Sequence, residues 1–185
     1  MSILADVKEL STSVRNSVLD FLSSYKRIRW KTVSFIIPTT PVPSHRPRIS
    51  GYRFYVPGAA KNANFFNKEV LPTLDGLFIS TPCKFKVDIY MPIPASMTQT
   101  QKFLAERGFI RPWGNIGDVD NFDKAVFDMM THNEKRGKQG ILLDDRLIVE
   151  SHTNKYYSNN PRYEVTIAYM DKIPKSIIKT MRLDK

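Results

Sequence analysis

Apolar positions near the start of the chain recur in steps of three and four: Ile3, Val7, Leu10, Val14, Val18 and Phe21. That period is helical and predicts an amphipathic helix over 2–25 with Ser2 as its N-cap. Lys31–Pro38 is β-branched and apolar and predicts a strand. Pro41, Pro43 and Pro47 interrupt regular structure after it, and Tyr52–Val56 predicts a short strand. Residues 60–75 read as a helix up to Pro72, with Phe65, Phe66, Val70 and Leu71 on its buried side. Lys84–Pro92 alternates: Phe85, Val87, Ile89 and Met91 face one way, Lys84, Lys86, Asp88 and Tyr90 the other, a half-buried strand. Residues 93–117 read as a polar, mobile loop with a short helix at Thr98–Arg107. Asp120–Thr131 predicts a helix whose apolar side is Phe122, Val126, Met129 and Met130, and Lys124 lies one turn from both Asp120 and Asp128 on another side. Ile141–Ser151 and Arg162–Met170 read as two further strands joined through an Asn-Asn-Pro turn, and the tail from Lys172 as a short basic helix. These elements place the chain in the α/β (α+β) class, with about four to five strands packed with helices.

Length and charge narrow the reading. With 185 residues, 42% of them apolar, the chain is long enough for one globular core. No apolar run approaches the ~18 residues of a membrane span. Asp6, Lys8 and Glu9 interrupt the apolar stretch a secretory signal requires, so a cytoplasmic setting is expected. A single cysteine, Cys83, excludes an internal disulfide and a cysteine-rich zinc site and reads as a core residue. The formal net charge is +10, which favours polyanionic partners. It is unevenly spread. Phe21–Lys68 holds no acid but contains Arg46, Arg48 and Arg53, whereas acids gather between Asp118 and Glu150. The proline-rich stretch around Arg46 and Arg48 reads either as a stiff surface loop or as an arm that touches phosphates.

Two acidic pairs carry the candidate chemistry. Asp118 and Asp120 stand where an extended segment enters a helix. Helix capping accounts for one of them and leaves the other unexplained. Asp144 and Asp145 sit between Ile141–Leu143 and Leu147–Val149, where a two-residue hairpin turn and a functional role explain them equally well. If the pairs converge, their mutual repulsion is relieved by protons or by divalent cations. All-oxygen donors point to Mg²⁺ or Mn²⁺ rather than zinc. An EF-hand fails, because its third ligand position is Phe122, its glycine position Asp123 and its closing glutamate position Met129. Carboxylate-held Mg²⁺ in a basic protein suggests phosphodiester chemistry. Lys124 either adds positive charge to the crowded transition state or is an ordinary exposed helix lysine.

The segments D-V-D-N-F-D-K-A-V-F-D-M-M and G-I-L-L-D-D-R-L-I-V-E resemble the RusA family of Holliday junction resolvases. Asp118, Asp120, Asn121, Lys124 and Asp128 match the first block of the family pattern, D-x-D-N-x-x-K-x-x-x-D-x-L, with Met130 in place of leucine. Asp144, Asp145 and Ile148 match the second block, and Lys155, Arg162 and Glu164 resemble a downstream lysine and closing strand. The early P-V-P-S-H-R-P-R is similar to the opening loop of phage and prophage members. The resemblance covers about residues 30–170. It leaves out the N-terminal helix and the basic tail, and E-K-R-G-K-Q lengthens the gap between the blocks.

The resemblance implies a small mixed β-sheet in an intertwined homodimer that cuts four-way DNA junctions with Mg²⁺, Mn²⁺ substituting. Paired symmetric nicks would leave ligatable 5′-phosphate ends. It implies Asp118, Asp120, Lys124 and Asp145 as catalytic residues. The metal ligands would be Asp118, Asp120 and Asp145, with Asp144 as a fourth candidate. Arg46, Arg48, Arg53, Lys155 and Arg162 are expected to contact DNA. The implied division is a helical extension over 1–28, a nuclease domain over 29–171 and a basic tail over 172–185, with no membrane partner and no small organic cofactor. Two other classes compete: a non-catalytic binder of branched DNA with the same fold, and a D-x-D metal-dependent nucleotide-sugar transferase, whose glycine-rich signals the chain lacks.

Overall fold

The computed structural model of the chain describes residues 7–44, 48–50, 53–55, 59–114 and 116–183. In chain order the elements are α1 (Thr12–Tyr25), β1 (Arg29–Ile37), β2 (Arg48–Ser50), β3 (Arg53–Tyr55), α2 (Ala59–Phe65), β4 (Cys83–Pro92), α3 (Gln99–Glu106), α4 (Val119–Met130), β5 (Ile148–Ser158), β6 (Arg162–Lys172) and α5 (Lys175–Ile178). The chain divides into two compact units, Thr32–Ala168 and the pairing of Met1–Lys31 with Tyr169–Lys185.

In the larger unit a four-stranded mixed sheet has the order β1-β6-β4-β5, and β2 and β3 form a separate antiparallel pair. The strict alternation of β4 buries Phe85, Val87 and Ile89 on one face. That face meets α4, whose Phe122, Val126, Met129 and Met130 are buried and whose Phe127 ring lies edge-on to Phe85 at 5.2 Å. Strand β5 pairs in parallel with β4 in the register Phe85↔Ser151, Val87↔Thr153 and Ile89↔Lys155. Because side chains alternate between faces, Ser151, Thr153 and Lys155 share the face that α4 covers. The opposite face carries the partners Lys84–Glu150 at 2.6 Å and Lys86–Asp88 at 2.9 Å, and the stacked rings of Tyr90 and Tyr156. Tyr163 is fully buried, and its hydroxyl accepts from the Val42 N–H at 2.8 Å. Burial pushes that phenol up to about 12. Cys83 is a core residue as expected, with its thiol pushed up to about 11 by burial.

The smaller unit packs Phe21, Trp30, Ile173 and Met181 around buried Ile28, Met170 and Ile177. Asp171 bridges Arg29 and Lys31 at 3.1 Å each, and these bases hold its carboxyl below the usual range. Ser24, at the end of α1, accepts a hydrogen bond from the Ser176 hydroxyl at 3.0 Å.

Three segments differ from the sequence expectation. The first helix begins at Thr12, after a separate 3₁₀ turn at Val7–Glu9, because the Ser11-Thr12-Ser13 run favours a helix start over a helix interior. Its expected cap, Ser2, lies outside the described residues. The helix over 60–75 widens from α2 into a π turn at Phe66–Val70 and then tightens into a 3₁₀ turn at Leu71–Leu74, where Pro72 enters the first turn. The strand expected at Ile141–Ser151 starts only at Ile148 and runs on to Ser158. Ile141 and Leu142 are buried in a crossing segment instead: Leu142 N–H donates to the Met130 carbonyl at 3.1 Å and Leu143 N–H to that of Ile79 at 3.0 Å. An apolar run of three residues satisfies either arrangement, and period alone does not separate them.

Gly140 begins that crossing. A Cβ there would stand 2.4 Å from the Met130 carbonyl oxygen and 2.6 Å from the His132 nitrogen, both backbone atoms that cannot swing aside. Gly140→Ala is expected to destabilise the fold by about 1–3 kcal/mol through overpacking. In thermal unfolding that corresponds to a midpoint lower by about 2–12 °C.

Candidate active site

Helix α4 presents the first acidic pair. Asp118 occupies its N-cap position in an extended conformation, yet its side chain makes no capping hydrogen bond. Asp120 lies in the first turn, where the free N–H groups favour a carboxylate. Both are exposed. The turn is held by other groups. Phe122 is fully buried beneath it, and the Asn121 carbonyl accepts from the Ser44 N–H at 2.8 Å. Gly117 takes φ +114°, a conformation that favours glycine. A Cβ on it would stand 2.9 Å from Pro43 and 3.2 Å from Phe122. The Lys155 ammonium donates to the Gly117 carbonyl at 2.8 Å.

Asp123 was not singled out from the sequence, and the structure places it beside this pair. Its carboxylate accepts hydrogen bonds from the Ser151 hydroxyl at 3.4 Å and from the Thr153 hydroxyl. Burial is the main influence pushing its pKa up, the two hydroxyls pull it down, and the charge of Asp120 adds to the upward push. One sequence signal could have located it. A spacing of three puts Asp123 beside Asp120 on a helix. Lys124 is exposed, with its ammonium 3.9 Å from Asp128.

The second pair divides its work. Asp144 caps a 3₁₀ turn at Asp145–Leu147 by accepting from the Arg146 N–H at 2.9 Å, which replaces the hairpin-turn alternative. Its carboxylate is also clamped by the Arg146 guanidinium at 2.8 and 2.6 Å. These bonds hold Asp144 far below the usual carboxylate range, and its oxygens are committed to Arg146. Asp145 is exposed and borders a shallow cavity of about 410 Å³ with Phe127, Ile148 and Ser151. Phe127 lies seven residues beyond Asp120 on α4, ~10 Å along the helix axis. Among the described residues of one chain, no three His, Cys, Asp or Glu side chains gather so that they could hold a metal ion. Asp118, Asp120, Asp144 and Asp145 are thus not gathered into one such group within a single chain.

A family model described as Endodeoxyribonuclease RusA matches residues 38–168, which include α4, β5 and both acidic pairs. The chain belongs to the RusA endodeoxyribonuclease family. It is also similar to the uncharacterized protein YqaN of Bacillus subtilis (strain 168), with 31% identity over 142 residues, covering 73% of this chain and 94% of the relative. The RusA match ends at residue 168, where the larger unit ends.

The bases expected to meet DNA in this RusA member fall into two groups. Arg46 lies outside the described residues, and Arg48 and Arg53 belong to the paired strands β2 and β3, where Arg53 pairs with Ser50. Lys155 and Arg162 are engaged internally. The Arg162 guanidinium meets Glu164 at 2.7 and 2.8 Å, donates to the Asn160 carbonyl at 2.9 Å and stacks 3.8 Å over the Tyr90 ring. Arg111 tethers the segment before Asp118 by stacking 3.8 Å over Tyr156 and donating to the Lys155 carbonyl at 3.1 Å.

Gly117→Ala tests the frame around Asp118. The positive φ and the collision with Pro43 together predict a loss of about 1–3 kcal/mol in chemical denaturation. Pro43→Gly in the Gly117→Ala background removes both clashing Pro43 atoms, Cγ at 2.9 Å and Cβ at 3.0 Å, and is expected to recover part of that loss.

Proposed function

We propose that the chain is a Mg²⁺-dependent endonuclease that resolves four-way DNA junctions by paired symmetric nicks, acting as a homodimer in the cytoplasm. The observation that carries this reading is an exposed acid pair, Asp118 and Asp120, at a helix N-terminus whose first turn is held by other groups. Carboxylates that serve no capping bond remain available to a ligand. Membership of the RusA endodeoxyribonuclease family supplies the reaction class. Two copies carry a formal charge of about +20, twice the +10 of one chain, suited to a branched polyanion. Arg46, Arg48 and Arg53 are assigned to the DNA backbone, and Lys124 to the charge that grows on the scissile phosphate. A two-fold axis fits a substrate that needs two identical cuts.

Mg²⁺, or Mn²⁺ in its place, neutralises phosphate charge and lowers the pKa of an attacking water when bound. The described side chains of one chain do not complete a donor set for it. We therefore assign the site to two chains, with Asp118 and Asp120 of one copy facing Asp145 of the other. The competing reading, a non-catalytic binder of branched DNA, is favoured by the same open donor set. No helix among the described residues is long and apolar enough to cross a membrane.

Labelled four-way junction, linear duplex and single strand are incubated with Mg²⁺ or with EDTA. Cutting of the junction in Mg²⁺ alone is expected. Binding without cutting in Mg²⁺ and in Mn²⁺ would establish the non-catalytic binder, and action on a nucleotide sugar without any effect on DNA would establish the transferase. Asp120→Asn is expected to reduce cleavage by ~10²–10³-fold while sparing junction binding. A mixture of Asp120→Asn and Asp145→Asn chains tests the shared site. Heterodimers would then hold one intact site and nick one strand, whereas with each site built from one chain the mixture stays as inactive as either variant.

A further inference from the structure

Strand β5 touches the segment carrying the acid pair at two points, one on each side of it. Before the pair, the Lys155 ammonium holds the Gly117 carbonyl at 2.8 Å. After it, the Thr153 and Ser151 hydroxyls hold Asp123. The three β5 residues alternate along one strand and stand in fixed register with Phe85, Val87 and Ile89 of β4, which are buried. Both contacts therefore refer the acid pair to an interior strand of the sheet. Lys155 is also the residue whose carbonyl receives Arg111, so the approach to Asp118 is tied to it from two directions.

Resting on the nuclease reading above, we propose that Lys155 and Asp123 are positioning residues for the cleavage reaction. They clamp the backbone on either side of Asp118 and Asp120 and touch neither DNA nor the reacting atoms. A lysine on a DNA-binding surface is ordinarily expected to meet phosphate. Here its ammonium is turned onto a backbone carbonyl that precedes the first acid by one residue, and it is half-buried. A carboxylate next to an acid pair is ordinarily expected to join in the chemistry. Here both oxygens of Asp123 are occupied by hydroxyls of the neighbouring strand.

The two roles separate experimentally. A phosphate-contacting lysine contributes ~0.9 to the slope of log affinity against log salt. Lys155→Met keeps the aliphatic length and removes the donor. Junction binding in EDTA is expected to stay within ~2-fold of the parent with an unchanged salt slope, while kcat for cleavage falls ~10–100-fold with KM unaltered, as for a misplaced reacting group. A slope lower by ~0.9 with normal kcat makes Lys155 a phosphate contact and overturns the proposal, as does a variant with unchanged kcat. For Asp123 the conservative variant decides. Asn keeps one acceptor for Thr153 and gains a donor for Ser151, so Asp123→Asn should cleave within ~3-fold of the parent and Asp123→Leu ~10–100-fold less. If Asn is as damaging as Leu, the charge is required and the positioning role fails.

The clamp also has a readout that needs no cleavage. Amide hydrogen exchange at Ile116 and Phe122, whose N–H groups donate to the Gly114 and Asp118 carbonyls, should accelerate at least ~10-fold in Lys155→Met. Were the parent chain to cut no junction, the nuclease reading would fall, and the exchange would still show whether Lys155 holds this segment. Unchanged exchange there removes the clamp regardless of activity.

Discussion

The head of a helix exposes backbone N–H groups that need partners, and a side-chain oxygen at the N-cap is the common solution. At α4 that solution is not used, although an aspartate stands at the position. The first turn is stabilised by the buried Phe122 ring below it, by the Ser44–Asn121 backbone bond beside it and by the Lys155 ammonium on the preceding carbonyl. The placement of the candidate carboxylates depends on this substitution of supports. It allows two acids to stand exposed side by side at a defined place without either being spent on local structure.

The supports come from distant parts of the sequence. Pro43 and Ser44 belong to the proline-rich segment after β1, Gly117 to the segment after α3, and Lys155 to β5. Each contact is modest, since a net hydrogen bond is worth only ~0.5–1.5 kcal/mol. Together they fix a backbone conformation that few residues other than glycine would adopt at position 117. The opposite face of the sheet is organised differently. Ion pairs and the Arg162–Tyr90 and Arg111–Tyr156 stacks hold strands and loops in place there, using bases that composition alone would have assigned to a polyanion.

Much of this was legible in the residues. The alternation over 84–92 located β4 and its buried face, and the spacing of Phe122, Val126, Met129 and Met130 located α4 and its inner side. Both signals are periodic and local, which is where pattern reading is strongest. The start of β5 was not legible, because Ile141 and Leu142 are apolar for another reason: they are buried in the core, where Leu142 bridges Ile79 and Thr131. The role of Ser151, Thr153 and Lys155 was hidden for the same reason. Only the register against β4 shows that these polar residues point towards α4. The alternation S-x-T-x-K at 151–155, set beside Asp120 and Asp123 one helical turn apart, was the available hint. The distribution of the second acidic pair was out of reach, since nothing local announces that Arg146 would take Asp144 for itself.

Parallel strands cannot be joined by a tight turn, and β4 and β5 are separated by the whole stretch that holds α3 and α4. Pairing them closes a long loop, a slow event that comes late because its entropy must be overcome before contacts form. Lys155, Thr153 and Ser151 arrive with the second of these strands. A growing polypeptide that has released α4 but not yet docked β5 thus holds its acids on an unanchored helix. Assembly of the candidate site is thereby deferred until β5 has been made.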